Sequence, residues 1–288
     1  MATATATNAR LISEVERIVL TRVAAGKLVL PTMPAVATKC LEIIRNPDFN
    51  FKRLVEPVES EPLLATMLLR AASSAANGNS VSSVDRAISR LGAARLKTLL
   101  LEYASHAVFK STDKRIAAAS KAIWDHSVVV AYLSRDIAAL TGNSDGDACY
   151  LAGLLHDIGK PVVAAMLLDA EKNLARGAPS WLDLDVWTST IETTHRKVGV
   201  AIATEWKLPE EITAGIRDCS DYDSANRGAV CNMVRLANAL AKREGYTTGP
   251  IDADDVDAMI MVGRSLLGAD EDIITRLATS LKTRLASA

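Results

Sequence analysis

A chain of 288 residues is long enough for one large domain or two small ones, and 49% hydrophobic against 23% charged side chains is an ordinary globular balance. A net charge of −1 excludes the electrostatic footprint of a nucleic-acid or acidic-membrane binder. Aromatic residues make up only 4% while Ala and Leu abound, which favours helix over sheet.

Residues 1–9 begin small and polar, lack the basic start and apolar run of a secretion signal, and read as a frayed tail. Leu11, Ile12, Val15, Ile18, Val19 and Val23 recur with a helical period and predict a helix over 11–25, ended by Gly26. Leu30-Pro31-Thr32-Met33-Pro34 is a stiff connector, because each proline pushes its predecessor out of the helical region. Further helices are predicted over 35–45, 51–59 and 62–75, the last with Pro62 in its first turn. After a loop at 77–80, Ser83 caps a helix that Gly92 punctuates, and a longer one follows over 93–108. The polar break 110–113 is the candidate boundary between two lobes.

In the helix after that break His126, Val130, Leu133, Ile137 and Leu140 share one face, so His126 points inward. Asp147 is the expected N-cap of the next helix, which carries Leu154-Leu155-His156-Asp157-Ile158-Gly159-Lys160-Pro161. Gly159 is read as its stop and Pro161 as the start of a helix to 176. A helix is expected over 181–193, and another opened by Thr194, with His195, Val198, Gly199, Ile202 and Trp206 on one face. Pro209 followed by two acids marks a fresh start, 218–227 is loop-like, and 229–244 is a helix ended by Gly245. The acidic run 252–257 reads as a helix start, and final helices cover about 254–266 and 270–286. No strand pattern and no fixed-period repeat is found. Cys40, Cys149, Cys219 and Cys231 form no C-x-x-C pair and read as free thiols of a reducing cytoplasm. No uncharged apolar stretch is long enough to cross a bilayer, since the best one contains His156, Asp157 and Lys160.

Three of the four histidines (His126, His156 and His195) therefore fall at apolar helix faces or ends of the second lobe, and His106 stands alone in the first. A buried imidazole costs free energy unless its nitrogens are paired, so several converging ones need a shared reason. A divalent metal is one such reason, with His156 and Asp157 supplying an imidazole and a carboxylate. The plainer alternative is a hydrogen-bonded core histidine beside an ordinary carboxylate, with Lys160 a solvated cation at a helix C-terminus.

The order His126, then His156-Asp157 within Leu-Leu-His-Asp-Ile-Gly-Lys, then His195-x-x-x-Gly199 with Trp206-x-Leu208-Pro209, resembles the HD superfamily. The likeness is closest to its HDOD branch, the HD-related output domain. Leu30-Pro31-x-Met33-Pro34, Glu61-Pro62 and Ala87-Ile88-x-x-Leu91-Gly92 are similar to that branch's N-terminal motifs, and the resemblance covers roughly residues 28–245. It implies an all-α, two-lobed helical domain used in bacterial signalling, often linked to cyclic-dinucleotide pathways, with an HD-like core in the second lobe. The domain reading is a tail and helix over 1–27, a first lobe over 28–110, an HD-like lobe over 111–245 and packed helices over 246–288.

Carried over residue by residue, the resemblance implies His126, His156 and Asp157 as metal ligands, with a distant aspartate as the fourth. That position is Asn238 here, and an amide is a weaker ligand than a carboxylate for a hard cation and cannot act as a base. Two-metal relatives carry further histidines after the His195 helix, where this chain has Arg217, Asp218 and Asp221; either aspartate could substitute as a ligand, but no sequence feature places one at the site. Ala71-Ala72-Ser73-Ser74-Ala75 stands where the branch has an Asn-Ser pair. Metal-dependent hydrolysis rests on lowering the pKa of a bound water to about 7, and a site short of a carboxylate does this poorly. The expectation is a cytoplasmic regulatory module with a degenerate HD site and no resident cofactor, a divalent metal being the one candidate. It would bind a protein partner or a small nucleotide-like ligand, neither nucleic acid nor membrane, in a groove between the lobes or on the surface. Lys160, His195 and Arg217 are the candidate ligand-binding residues. The alternative is a metal-dependent phosphohydrolase of a nucleotide or cyclic dinucleotide, with Lys160 or Arg217 on phosphate.

Overall fold

A computed structural model describes residues 13, 16–25, 30–74, 80–142, 145–174 and 184–286, and among these the chain is helix, turn and loop without a strand. The expected tail over 1–9, the stop at Gly26, the centre of the 77–80 loop and the helix boundaries expected at 176 and 181 lie outside the described residues. The protein is all-α. It divides into two compact units, one of residues 32–107 and one of 1–31 with 108–288.

Helix α1 (residues 16–24) belongs to the larger unit, and in the 32–107 unit α2 (Ala35–Arg45) buries Ala37, Cys40, Leu41 and Ile44 along one face. A 3-10 turn over Phe51–Leu54, capped by Asn50 accepting from the Lys52 N–H, leads into α3 (Val55–Glu59). Helix α4 (Pro62–Ser74) buries Leu64, Leu68 and Ala72. A helical run, α5 (Val84–Val108), is bent at Gly92, whose φ of 70° suits a residue without a Cβ.

The other unit is built on α6 (Lys114–Thr141) and α7 (Gly146–Leu155). Helix α6 starts at the Asp113 cap and ends at Gly142 in the left-handed region. Helix α7 is capped by Asp145, which accepts from the Asp147 and Ala148 N–H groups, and not by Asp147 as the sequence suggested. Asp147 lies inside the first turn, where a carboxylate is still favoured by the helix dipole. Every residue of α7 from Ala148 to Leu155 is buried. Helix α8 (Gly159–Leu174) packs on α6 and on α9 (Leu184–Glu205). The break expected at Thr194 does not occur. Thr193 and Thr194 satisfy their hydroxyls on the carbonyls of Ser189 and Thr190 one turn back, so polar residues stay inside one helix. Helix α10 (Glu210–Asp218) packs on α7, α9 and α11 (Val230–Arg243), and α11 also lies on α6 and α7. Helix α12 (Ala253–Leu267) begins at Asp252, which accepts from the Asp254 and Asp255 N–H groups, and α13 (Glu271–Ala286) is tied to α6 by Arg284 and Asp136 at 3.1 Å. The stretch 146–172 is apolar enough to span a membrane, but its most apolar 18-residue window is 83% buried within the fold and the stretch is broken by the turn after α7. All four cysteines are buried and outside any disulfide.

Candidate metal centre

The helix carrying the His-Asp pair ends earlier than the sequence reading placed it. Helix α7 stops at Leu155, residues 156–158 form a tight turn, and Gly159 begins α8 instead of ending α7. The turn is closed by the Ile158 N–H on the Leu155 carbonyl and the Lys160 N–H on the Asp157 carbonyl. Gly159 is required for approach, since a Cβ there would collide with the His195 carbonyl oxygen and lie 3.0 Å from the Gly199 nitrogen. Gly199 accepts the same crossing from the α9 side. Gly153 plays this part between α7 and α6, because a Cβ would meet Ser134 Oγ at 2.8 Å and Ala131 Cα at 3.0 Å. Two close helix crossings thus bring α6 and α9 against the turn.

Their effect is to converge side chains on Asp157. The His156 and His126 Nε2 atoms lie 3.4 and 3.9 Å from Asp157 Oδ2, and His195 Nε2 lies 3.3 Å from Oδ1. The His126 and His156 rings are 5.3 Å apart. Lys160 Nζ sits 3.1 Å from Asp157 Oδ2, 2.9 Å from Glu192 Oε1 and 3.2 Å from Thr248 Oγ1. None of His126, His156, Asp157, Lys160 and His195 exposes more than 7% of its surface, so the group is closed to water.

The backbone fixes the imidazoles. His126 Nδ1 donates to the Tyr246 carbonyl at 2.8 Å, His156 Nδ1 to the Gly153 carbonyl at 2.7 Å and His195 Nδ1 to the Ile191 carbonyl at 2.9 Å. A carbonyl only accepts, so each Nδ1 carries a proton, and the neutral His156 ring then turns a bare Nε2 inward. Burial, partly offset by Asp157, pushes His126 below its ordinary value and His156 down to about 3, so His156 is neutral near pH 7. Burial alone would raise the Asp157 carboxyl. Charge on the His156 ring when it is protonated, the Lys160 ammonium and the His195 contact outweigh it and hold the group well below the carboxylate range. Lys160 is raised in turn, with Asp157 and Glu192 overcoming its desolvation. Lys160 is therefore not the solvated cation suggested by its sequence position. It is a buried ammonium between two carboxylates.

The donor set fits a divalent ion in part. His126, His156 and Asp157 offer three ligand atoms within 4.8 Å of one another. The carbonyl locks on both rings are the outer-shell partners that metal-bound histidines use. The His156 Nε2 is buried without a hydrogen-bond partner, as is Asn238 Oδ1 on α11. Lys242, one turn beyond Asn238, feels the charges of Lys160, Asp157 and Glu192.

Of the other sequence candidates, Arg217 is exposed and held by Asp218 at 3.1 Å and Glu210 at 3.0 Å. Asp218 and Asp221 line a cavity of about 600 Å3 that includes none of the five clustered residues. Glu192, Thr248, Lys242 and the Tyr246 carbonyl escaped the sequence reading. Glu192 had a usable signal, standing three residues before His195 and hence on the same helix face. Lys242 had one too, a turn beyond Asn238 on the helix predicted over 229–244, whereas Thr248 and the Tyr246 carbonyl depend on a chain return that no local pattern encodes.

The sequence pattern of the HDOD domain matches residues 30–222, more than half of the chain. An uncharacterized protein of Treponema pallidum (strain Nichols) is 30% identical over 200 residues, which is 64% of this chain but only 37% of that relative's length. Among solved structures, one from Shewanella amazonensis SB2B, provisionally named a metal-dependent phosphohydrolase, superposes with a TM-score of 0.72 at 19% identity, covering 94% of this chain and 99% of its own. An HDOD domain protein of unknown function from Geobacter sulfurreducens gives 0.61 at 23% identity, covering 92% of this chain and 96% of its own. At such identities the structural likeness speaks for the fold. Together with the match over 30–222, it makes this chain a member of the HDOD domain family.

Proposed function

We propose that this chain is a regulatory HDOD module of bacterial cytoplasmic signal transduction. It acts by contact with a protein partner or a small nucleotide-like ligand, and its HD site is degenerate and serves as a polar keystone between helices. One observation carries the reading: the Asp157 carboxylate, the strongest donor of the cluster, is already engaged by a buried ammonium at 3.1 Å. A catalytic ion needs an open coordination position and a path for substrate, and these side chains are sealed. The test is to assay the purified chain with manganese or magnesium against bis(p-nitrophenyl) phosphate and a cyclic dinucleotide. Turnover no higher than that of Asp157→Ala is expected. Stoichiometric metal in the isolated protein, with turnover abolished by Asp157→Ala, would overturn the reading.

A second reading, a metal-dependent phosphohydrolase of a nucleotide or cyclic dinucleotide, is favoured by the two backbone-locked imidazoles and the orphaned His156 Nε2. His126, His156 and Asp157, with Asn238 as a weak fourth donor, would hold an ion that supplies Lewis-acid activation of water. Phosphate contact would then fall to Lys160, since Arg217 is occupied by Glu210 and Asp218.

A further inference from the structure

We propose that Lys160 is the built-in cation of this cluster, and that a divalent ion can occupy His126, His156 and Asp157 only by displacing its ammonium from Asp157. The inference rests on the partial fit of those three residues to an ion, and it concerns binding, not turnover. A lone pair on His156 Nε2 faces a carboxylate oxygen 3.4 Å away with no hydrogen bond between them. Such a pair is stable only when a positive charge lies close by. Lys160 supplies that charge from 3.1 Å, at the same Oδ2 atom that both His126 and His156 approach. Asp157 and Glu192 already face the Lys160 ammonium, and the half-buried Lys242 and Arg196 add further positive charge nearby. An ion arriving while Lys160 stays in place would leave an uncompensated double positive charge in a closed site.

The displaced ammonium has a place to go. Lys160 Nζ also contacts Glu192 at 2.9 Å, and the Glu192 side chain is 52% exposed while that of Asp157 is 5% exposed. A rotation of the lysine stem can therefore release Asp157, keep Glu192 and reach water. Lys160 thus acts as a gate on the ligand set.

The test compares divalent binding by the wild-type chain and by Lys160→Met, which keeps the apolar stem and removes the charge. Cobalt(II) titration gives two readouts, the calorimetric affinity and the visible absorption of an imidazole-ligated ion. Lys160→Met is expected to bind one cobalt ion at least tenfold more tightly than wild type, and the gain is expected to vanish when His156→Ala is added. Lys160→Arg, which keeps the charge, should stay weak. A folded Lys160→Met that binds no more tightly than wild type overturns the proposal, as does a wild type that already holds cobalt as tightly as the variant. Should Lys160→Met fail to fold, wild type is acetylated with and without cobalt at millimolar excess, and Lys160 is read by mass spectrometry. Ion-dependent labelling supports displacement, and protection unchanged at a titrated ion stoichiometry of one refutes it. Tight cobalt binding by Lys160→Met without hydrolysis would leave the regulatory reading intact, whereas turnover by wild type would sink that reading alone.

Discussion

Two groups of charge in the same unit each set carboxylates against a cation and behave oppositely. Around Asp157 the carboxylate, the ammonium and three imidazoles are buried, and each has a geometric reason to be where it is. Around Asp218 the carboxylate meets Arg217 on the surface, where both side chains are about half exposed and water screens the pair. A bridge of about 3.1 Å occurs in both places. The difference in surroundings decides what each is worth, because losing one partner of a buried pair strands the other charge, while losing one partner of a surface pair hands it to water.

The largest expected effect that breaks this contrast is Asp157→Ala. Removing the anion takes from Lys160 the buried one of its two carboxylates and should cost about 3 kcal/mol, the low end of the buried-pair range because Glu192 remains, read as a lower urea midpoint by circular dichroism. Gly159→Ala comes next. The methyl group must push α9 away from the turn, and the loss should reach about 1–3 kcal/mol. Gly199→Ala sharpens the point, since the tightest contact of its Cβ would be the Ile216 methyl at 3.2 Å, and it should cost less than Gly159→Ala in the same melt. Arg217→Ala should shift stability by only about 0–1 kcal/mol, and equal losses at Arg217 and Asp157 would erase the comparison. The smallest expected signal is at a thiol of the other unit. Burial, the largest influence, pushes Cys40 up to about 11, so its thiolate is scarce near pH 8. Native protein should leave it unalkylated by iodoacetamide, and unfolding in urea should expose it.

Much of the site was legible because its signals are local. His126 announces its inward face by its spacing to Val130, Leu133 and Ile137, and all four are buried. The His156-Asp157 pair carries its own apolar frame. Gly159 was misjudged because two different causes select a glycine, a helix stop and a close crossing, and only the position of α9 separates them. Lys160 was misjudged for the same reason, since burial came from elements 32 and 88 residues further along the chain. Asp218 and Asp221 looked available as spare ligands until the fold put them at a different cavity.

The segment after α11 carries a practical consequence. The carbonyl that orients His126 belongs to Tyr246, and the hydroxyl beside Lys160 belongs to Thr248, well past residue 222 where the family signature stops. A fragment cut at that border would keep the motif that identifies the domain and lose the wall that keeps its imidazole aligned. The smallest piece that can report on this centre must run through residue 248.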